Sequence, residues 1–187
     1  DARVPETTRE RWHMMPEGAY RLFDAAQVAK AYDGMAERLN AALPDREILL
    51  LPVMNGGMFP ACELARRIER PLRIDYVHAT RYRGETSGST LEWRHWPDLQ
   101  PGRHSVLLID DIFDEGHTLA AIRDRLPVDY EVTAAALVLK QHERGLGRDW
   151  LDHHGLVVPD VYVFGCGMDY REHFRELPDI WAISPEE

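Results

Sequence analysis

Three runs of this chain, EILLLPV (Glu47–Val53), VLLI (Val106–Ile109) and VTAAALVLK (Val132–Lys140), are apolar without alternation. A strand with one wet face alternates apolar and polar residues, so an unbroken run requires cover on both faces. Polar or glycine-bearing punctuation follows each run. Helical spacing follows the first two, from Phe59 to Ile68 and from Thr118 to Leu126. A fourth run, VYVFGC (Val161–Cys166), repeats the pattern. Strands alternating with helices predict an α/β fold, a mostly parallel sheet flanked by helices. In such sheets ligands bind beyond the carboxyl ends of the strands. Chemistry is therefore expected at Met54–Gly57, Asp110–Thr118, Lys140 and Gly165–Asp169.

The rest of the chain reads as scaffold. Val28, Ala29, Tyr32, Met35, Ala36, Leu39, Ala42 and Leu43 recur at helical spacing, with Asp24 placed as N-cap and Pro44 beyond the end. Leu72 to Ala79 reads as one strand. RYRGETSGST (Arg81–Thr90) is polar with no face to bury, and LEWRHW (Leu91–Trp96) reads as the return strand of a hairpin. There is no internal repeat. A length of 187 residues with 44% hydrophobic suits one domain with a sizeable core. The net charge of −10 argues against a nucleic-acid surface, which needs clustered Lys and Arg. Cys62 and Cys166 lack CxxC spacing, so neither a disulfide framework nor a zinc site is indicated, and a reduced, cytoplasmic setting is expected. No apolar run approaches the roughly 18 residues of a spanning helix, and DARVPETTRERWH at the amino terminus lacks an apolar signal core, so no membrane partner is expected.

The most informative stretch is VLLIDDIFDEGHTL (Val106–Leu119). It sets Asp110, Asp111, Asp114 and Glu115 beside a Gly116-His117-Thr118 turn of the kind that holds phosphate. An Asp-Asp-x-x-Asp pattern also marks metal-diphosphate sites, but those lie on helices, whereas Val106–Ile109 reads as a strand. A receiver-type acidic pocket would stand near the start of its domain. A solvated acidic turn capping a helix remains the plain structural alternative.

The whole pattern of four apolar residues, two acids, two apolar residues, an acid and a glycine turn ending in Thr resembles the phosphoribosyl-pyrophosphate signature of type I phosphoribosyltransferases. That resemblance implies a division of labour. Asp110 and Asp111 would accept hydrogen bonds from the two ribose hydroxyls, and Asp114 would serve as general base beside the purine's imidazole edge. The 5′-phosphate would sit on the backbone N–H groups of the Asp114-Glu115-Gly116-His117-Thr118-Leu119 turn, where a helix begins, leaving the Glu115 side chain to point away.

From about Ile48 to Ile183 the chain is similar to the hypoxanthine-guanine branch of this family. By that likeness VMNGG (Val53–Gly57) is the pyrophosphate loop, with Met54, Asn55 and Gly56 contributing and the Met54–Asn55 peptide expected cis. Arg175 would also reach pyrophosphate. Lys140 would donate to the purine's 6-oxygen. PDVYVFGCGMDYREHFREL (Pro159–Leu177) resembles the purine clamp: Tyr162 would stack on the base, the Val163 backbone would read its edge, and Met168 would pack on the other side. Asp169 would contact the 2-position and, with Asp110 and Asp111, a Mg2+ ion. Arg81 and Tyr82 would belong to a mobile lid over about residues 80–94. The implied architecture is one domain over 1–187, with a core at about 45–160 and a hood from about 1–23 and 160–187. Homodimers or homotetramers are expected. The implied reaction moves a phosphoribosyl group from phosphoribosyl pyrophosphate to a 6-oxopurine.

Some positions depart from the family pattern. Asn55 replaces a usual Lys, Glu115 and His117 occupy the phosphate turn, and Arg81 stands where a Ser is usual. Xanthine or adenine as substrate, a non-catalytic nucleotide sensor, and an RNA-binding regulator on the same fold stay open at this point, although the acidic charge disfavours the last.

Overall fold

The structure, a computed structural model, describes residues 14–81 and 91–184. Its centre is a five-stranded sheet in the order β3-β2-β6-β7-β8, every neighbouring pair parallel: β2 (Ile48–Pro52), β3 (Leu72–Ile74), β6 (Ser105–Phe113), β7 (Glu131–Lys140) and β8 (His153–Val158). The unbroken apolar runs are explained by where alternate residues go. Ile48 and Leu50 of β2, with Leu107 and Ile109 of β6, enter one core. Leu49, Leu51, Val106 and Leu108 enter the other.

Helix α1 (Ala25–Ala42) covers the first face, burying Val28, Tyr32, Met35, Ala36 and Leu39. Asp24 starts it as expected: its carboxylate accepts from the Gln27 N–H at 2.8 Å while the Gln27 side chain accepts from the Asp24 N–H at 2.9 Å. Such a capping box satisfies two otherwise orphaned donors and is worth ~1 kcal/mol. Helix α2 (Met58–Ala65) follows β2 and packs on the same side through Ala61 and Leu64. Helix α3 (His117–Arg125) covers the opposite face through Leu119 and Ile122.

A second, antiparallel sheet in the order β1-β10-β9 joins the two ends of the chain: β1 (Ala19–Phe23), β9 (Tyr162–Phe164) and β10 (Ile180–Ile183). This is the hood. The run Val161–Cys166 therefore does not extend the parallel sheet, as alternation alone would have it. The fifth parallel strand is β8, HHGLVV, whose polar start conceals it. Gly155 is required there, since a Cβ would stand 2.8 Å from Met35 Sδ of α1 and 2.9 Å from the Leu137 carbonyl.

The single strand expected over Leu72–Ala79 is two. β3 ends at Ile74, and β4 (His78–Arg81) turns away to pair antiparallel with β5 (Leu91–His95). Thr80, Arg81 and Leu91–Arg94, assigned to the lid by resemblance, lie in this hairpin, because their backbone groups are paired. Tyr82 and the remainder of that segment lie outside the described residues. Trp93 and Trp96 meet edge to face at 5.1 Å, and the Arg125 guanidinium at the end of α3 stands 4.6 and 4.4 Å from their rings. Among the described residues no helix is long and apolar enough to cross a membrane.

Candidate active site

Parallel strands end on one edge of their sheet, so the register decides which side chains meet. Pro52 of β2 aligns with Ile109 of β6, and Phe113 of β6 with Leu139 of β7. The loop after β2, the Asp110–Phe113 end of β6 and Lys140 at the end of β7 consequently share one edge. The turn after β9 (residues 165–177), the hood turn, meets this edge where Gly167 approaches the Gly56 carbonyl.

β6 continues through Asp110 and Asp111 to Phe113, further than the apolar run suggested. The chain then turns at Gly116, whose φ of +80° lies in the left-handed region. A Cβ there would also meet the Phe113 ring at 2.7 Å, so this position needs glycine twice over. α3 begins at His117 without a side-chain cap, and its first internal hydrogen bond runs from the Ala120 N–H to the Gly116 carbonyl. The N–H groups of the first turn are thus available to an anion, where the helix dipole is positive. A cavity of about 80 Å3 lies against this turn, lined by Asp110 and by residues 112–119. The Glu115 carboxylate stands 3.6 Å from His117 Nε2 and 3.9 Å from Arg144 Nε.

Asp110 and Asp111 have different surroundings. Burial and the neighbouring Asp111 carboxylate push Asp110 well above the ordinary carboxylate range. Asp111 is also raised by burial, against hydrogen bonds from Asp110 and the Ile112 N–H and the nearby Arg175 charge. Its carboxylate is pressed against the backbone of Gly56, where a Cβ would stand 1.8 Å from Asp111 Oδ2. Gly167 approaches as closely from the hood: a Cβ on it would stand 2.2 Å from the Gly56 carbonyl oxygen. The loop after β2, the end of β6 and the hood turn therefore meet backbone to backbone. The Met54–Asn55 peptide in that loop is cis, as the resemblance implied.

The Arg175 guanidinium knits the same junction. Nη1 donates to the Gly167 carbonyl at 2.6 Å and stands 3.9 Å from Asp111 Oδ2; Nη2 stands 3.1 Å from Asp169 Oδ1. Asp169 Oδ2 accepts from the Glu172 N–H at 2.8 Å. Among the described residues no group of three or more His, Cys, Asp and Glu side chains could hold a metal unaided. The hard oxygens of the buried Asp110–Asp111 pair nevertheless suit Mg2+, which characteristically takes one or two carboxylates together with substrate phosphates and water.

A second cavity, of about 320 Å3, is lined by Lys140, Asp160, Val161, Tyr162, Tyr170, Ile183 and Ser184. Tyr162 is 48% exposed and its hydroxyl donates to the Asp169 carbonyl at 2.7 Å. Tyr170 meets the Tyr162 ring edge to face at 5.8 Å. Val163 lies in β9, an edge strand of the hood sheet. Met168 is 3% exposed and packs in the core with Val163 and Cys166.

Asp114 stands between the two cavities. Its Oδ2 lies 3.0 Å from Lys140 Nζ and its Oδ1 lies 2.5 Å from His142 Nε2. Burial alone would raise this carboxyl, but the hydrogen bonds from Lys140 and His142 outweigh it and hold Asp114 below the ordinary carboxylate range. Sequence reasoning missed His142, Asp160, Tyr170 and Ile112. His142 had one available signal, its position two residues after Lys140, the spacing that brings side chains to one side of an extended chain.

Known proteins resemble the chain along this same stretch. The family described as a phosphoribosyl transferase domain matches residues 19–172. The hypoxanthine-guanine phosphoribosyltransferase of Staphylococcus epidermidis is 32% identical over 146 residues, covering 76% of this chain and 80% of that protein. Its counterpart in Staphylococcus aureus is 30% identical over 165 residues, covering 86% and 85%. The bifunctional protein TilS/HprT of Listeria innocua is 31% identical over 158 residues, and there the chain spans only 24% of the longer protein. In fold, the crystal structure of a hypoxanthine phosphoribosyltransferase from Staphylococcus aureus superposes with a TM-score of 0.80 at 22% identity, over 98% of this chain and 97% of that one. The matched residues run from the first hood strand through the parallel sheet and its site edge to the hood turn, and the chain belongs to the phosphoribosyltransferase family.

Proposed function

We propose that this phosphoribosyltransferase acts on 6-oxopurines, joining hypoxanthine or guanine to the ribose of phosphoribosyl pyrophosphate and releasing pyrophosphate. The observation that carries this reading is the contact of Lys140 with Asp114 where the two cavities adjoin, the smaller lined by Asp114 and the larger by Lys140. Lys140 offers only donors, which match a 6-oxo group and oppose an adenine amine. Asp114, an exposed edge of its carboxylate still open to the cavity, accepts the imidazole proton as the ring nitrogen bonds to carbon 1.

The other residues take roles that follow from their places. The first turn of α3 binds the 5′-phosphate through backbone N–H groups. Asp110 accepts from ribose hydroxyls beside that turn, and Asp111 completes the sugar site where it meets Gly56. Arg175, already facing the loop after β2, attracts the diphosphate. Tyr162 and Tyr170 present rings to the base. Asp110, Asp111 and Asp169 would hold Mg2+, which when bound supplies Lewis-acid neutralisation of the departing diphosphate.

A spectrophotometric panel of hypoxanthine, guanine, xanthine and adenine with phosphoribosyl pyrophosphate and Mg2+ tests the reading. Hypoxanthine and guanine are expected to be consumed and adenine left untouched. Lys140→Ala should cut 6-oxopurine turnover by about 10- to 150-fold, the loss of one charged hydrogen bond, with phosphoribosyl pyrophosphate affinity by calorimetry nearly unchanged. Robust adenine turnover, or an equal fall in both quantities, would overturn it.

A further inference from the structure

His142 belongs to no motif used above, yet it touches the acid that the reaction turns on. Its Nε2 lies 2.5 Å from Asp114 Oδ1, and its side chain is only 6% exposed. The tautomer follows from its other nitrogen. The backbone N–H of Arg144 donates to His142 Nδ1 at 3.0 Å, so Nδ1 carries a lone pair. A neutral imidazole has one proton, which then resides on Nε2 and is donated to Asp114. Lys140 holds the other carboxylate oxygen, so Asp114 is gripped on both sides.

The ring is itself held by its own segment. Gly145, at φ +86°, lies so close to the phosphate turn that a Cβ would stand 2.3 Å from the Glu115 carbonyl oxygen. The Leu146 N–H donates to that carbonyl at 2.9 Å. On the other side, Arg144 Nη1 and Nη2 grip the Asp160 carboxylate at 2.5 and 2.8 Å, at the wall of the wider cavity. The stretch 142–146 is therefore laced to the residue after Asp114 and to the base-binding cavity at once.

We propose that His142 is a positioning residue for the transfer reaction, holding the Asp114 carboxylate through Nε2–H so that its free lone pair faces the purine's imidazole edge. The proposal rests on the 6-oxopurine reading. As the ring nitrogen bonds to carbon 1, the bond from carbon 1 to the diphosphate oxygen breaks and its electron pair leaves with pyrophosphate. The imidazole proton passes to Asp114. His142 keeps its own proton throughout and gains none.

Three variants of the full chain test this: His142→Leu, which removes the donor, His142→Gln, which returns an N–H near the place of Nε2, and Asp114→Asn. His142→Leu should lower kcat for hypoxanthine by about 10- to 150-fold with the KM for phosphoribosyl pyrophosphate unchanged, and His142→Gln should recover most of that loss. Adding His142→Leu to Asp114→Asn should cost little more, because both act through one carboxylate. A His142→Leu enzyme with wild-type kcat, equal losses in the Leu and Gln variants, or additive losses in the double variant would each overturn the proposal. Nitrogen NMR of the wild-type protein is independent of folding defects: a proton on Nδ1 in place of Nε2 would also overturn it. The 6-oxopurine reading fails differently, through absent wild-type turnover or an unimpaired Asp114→Asn enzyme.

Discussion

The phosphate turn and the hood turn meet the same edge of the parallel sheet but are strained in different ways. Asp110 to Leu119 is one unbroken strand, turn and helix start, and its cost is electrostatic: burial and a like charge raise Asp110. The hood turn is knotted backbone to backbone. Gly167 takes its bonds from Arg175, the Cys166 N–H reaches the Leu177 carbonyl, and Gly56 presses from the parallel sheet. Its cost is conformational, with φ of +53° at Cys166, +52° at Arg171 and +69° at both Glu172 and Phe174. A left-handed backbone costs a residue with a Cβ roughly 1–2 kcal/mol. Electrostatic strain can be changed at one side chain, whereas strain held in packed backbone transmits any change to its neighbours.

Matched glycine substitutions should show the largest contrast. Gly167→Ala brings a Cβ against the Gly56 carbonyl and sets alanine at φ +104°. Backbone meets backbone there and neither can rotate away, so a loss of roughly 2–5 kcal/mol is expected from overpacking and strain. Affinities for phosphoribosyl pyrophosphate and purine should fall together. Gly116→Ala meets only the Phe113 ring and should cost about 1–2 kcal/mol, weakening phosphoribosyl pyrophosphate while sparing purine binding. Melting temperatures in the reverse order would break the comparison.

Titration sharpens it further. Asp110 is raised in the folded protein, so the fold opposes its ionised form above the folded value, and the opposition disappears as pH falls below the ordinary value of about 3.9. Asp110→Asn should therefore raise Tm at neutral pH, by a margin that shrinks on acidification, while weakening phosphoribosyl pyrophosphate. Asp114 is lowered, so its contribution is present above about 3.9 and is lost as pH falls through the folded value. Asp114→Asn should lower Tm at neutral pH. Thermal melts from pH 4 to 8 decide both, and a destabilised Asp110→Asn protein would contradict the electrostatic account.

The smallest expected effect is a gain. Glu172→Gly relieves one left-handed residue and leaves its backbone bond to Asp169 in place, so it should stabilise the hood by about 1 kcal/mol in urea titration. An unchanged or lowered midpoint would show that the turn is not strained there.

These contrasts also explain what could be read from the chain alone. The cap at Asp24, the buried runs of β2, β6 and β7, and the acidic turn all depend on residues a few positions apart, and each is found where expected. β8 was hidden because His153, His154 and Gly155 dilute its apolar signal, and its small residue makes sense only once Met35 is opposite. The break between β3 and β4 falls at Asp75, whose carboxylate accepts from the Tyr76 N–H and stands 3.2 Å from His95 Nε2 on the returning strand, a pairing the sequence does not announce. Met168, expected by resemblance beside the base, packs in the core, since nothing in its neighbours states which way a side chain in such a turn will face. His142 reaches Asp114 across 28 residues of chain, a meeting that only the sheet register creates.

The Arg125 contact with Trp93 and Trp96 has an optical consequence. The nine residues of α3 span roughly 13 Å, with the proposed phosphate turn at one end and this guanidinium at the other. If phosphate binds the first turn as proposed, any tilt of the helix would move a positive charge relative to two indole rings. Indole emission responds to nearby charge, so tryptophan fluorescence on addition of phosphoribosyl pyrophosphate would test the proposed phosphate site from the far end of the helix.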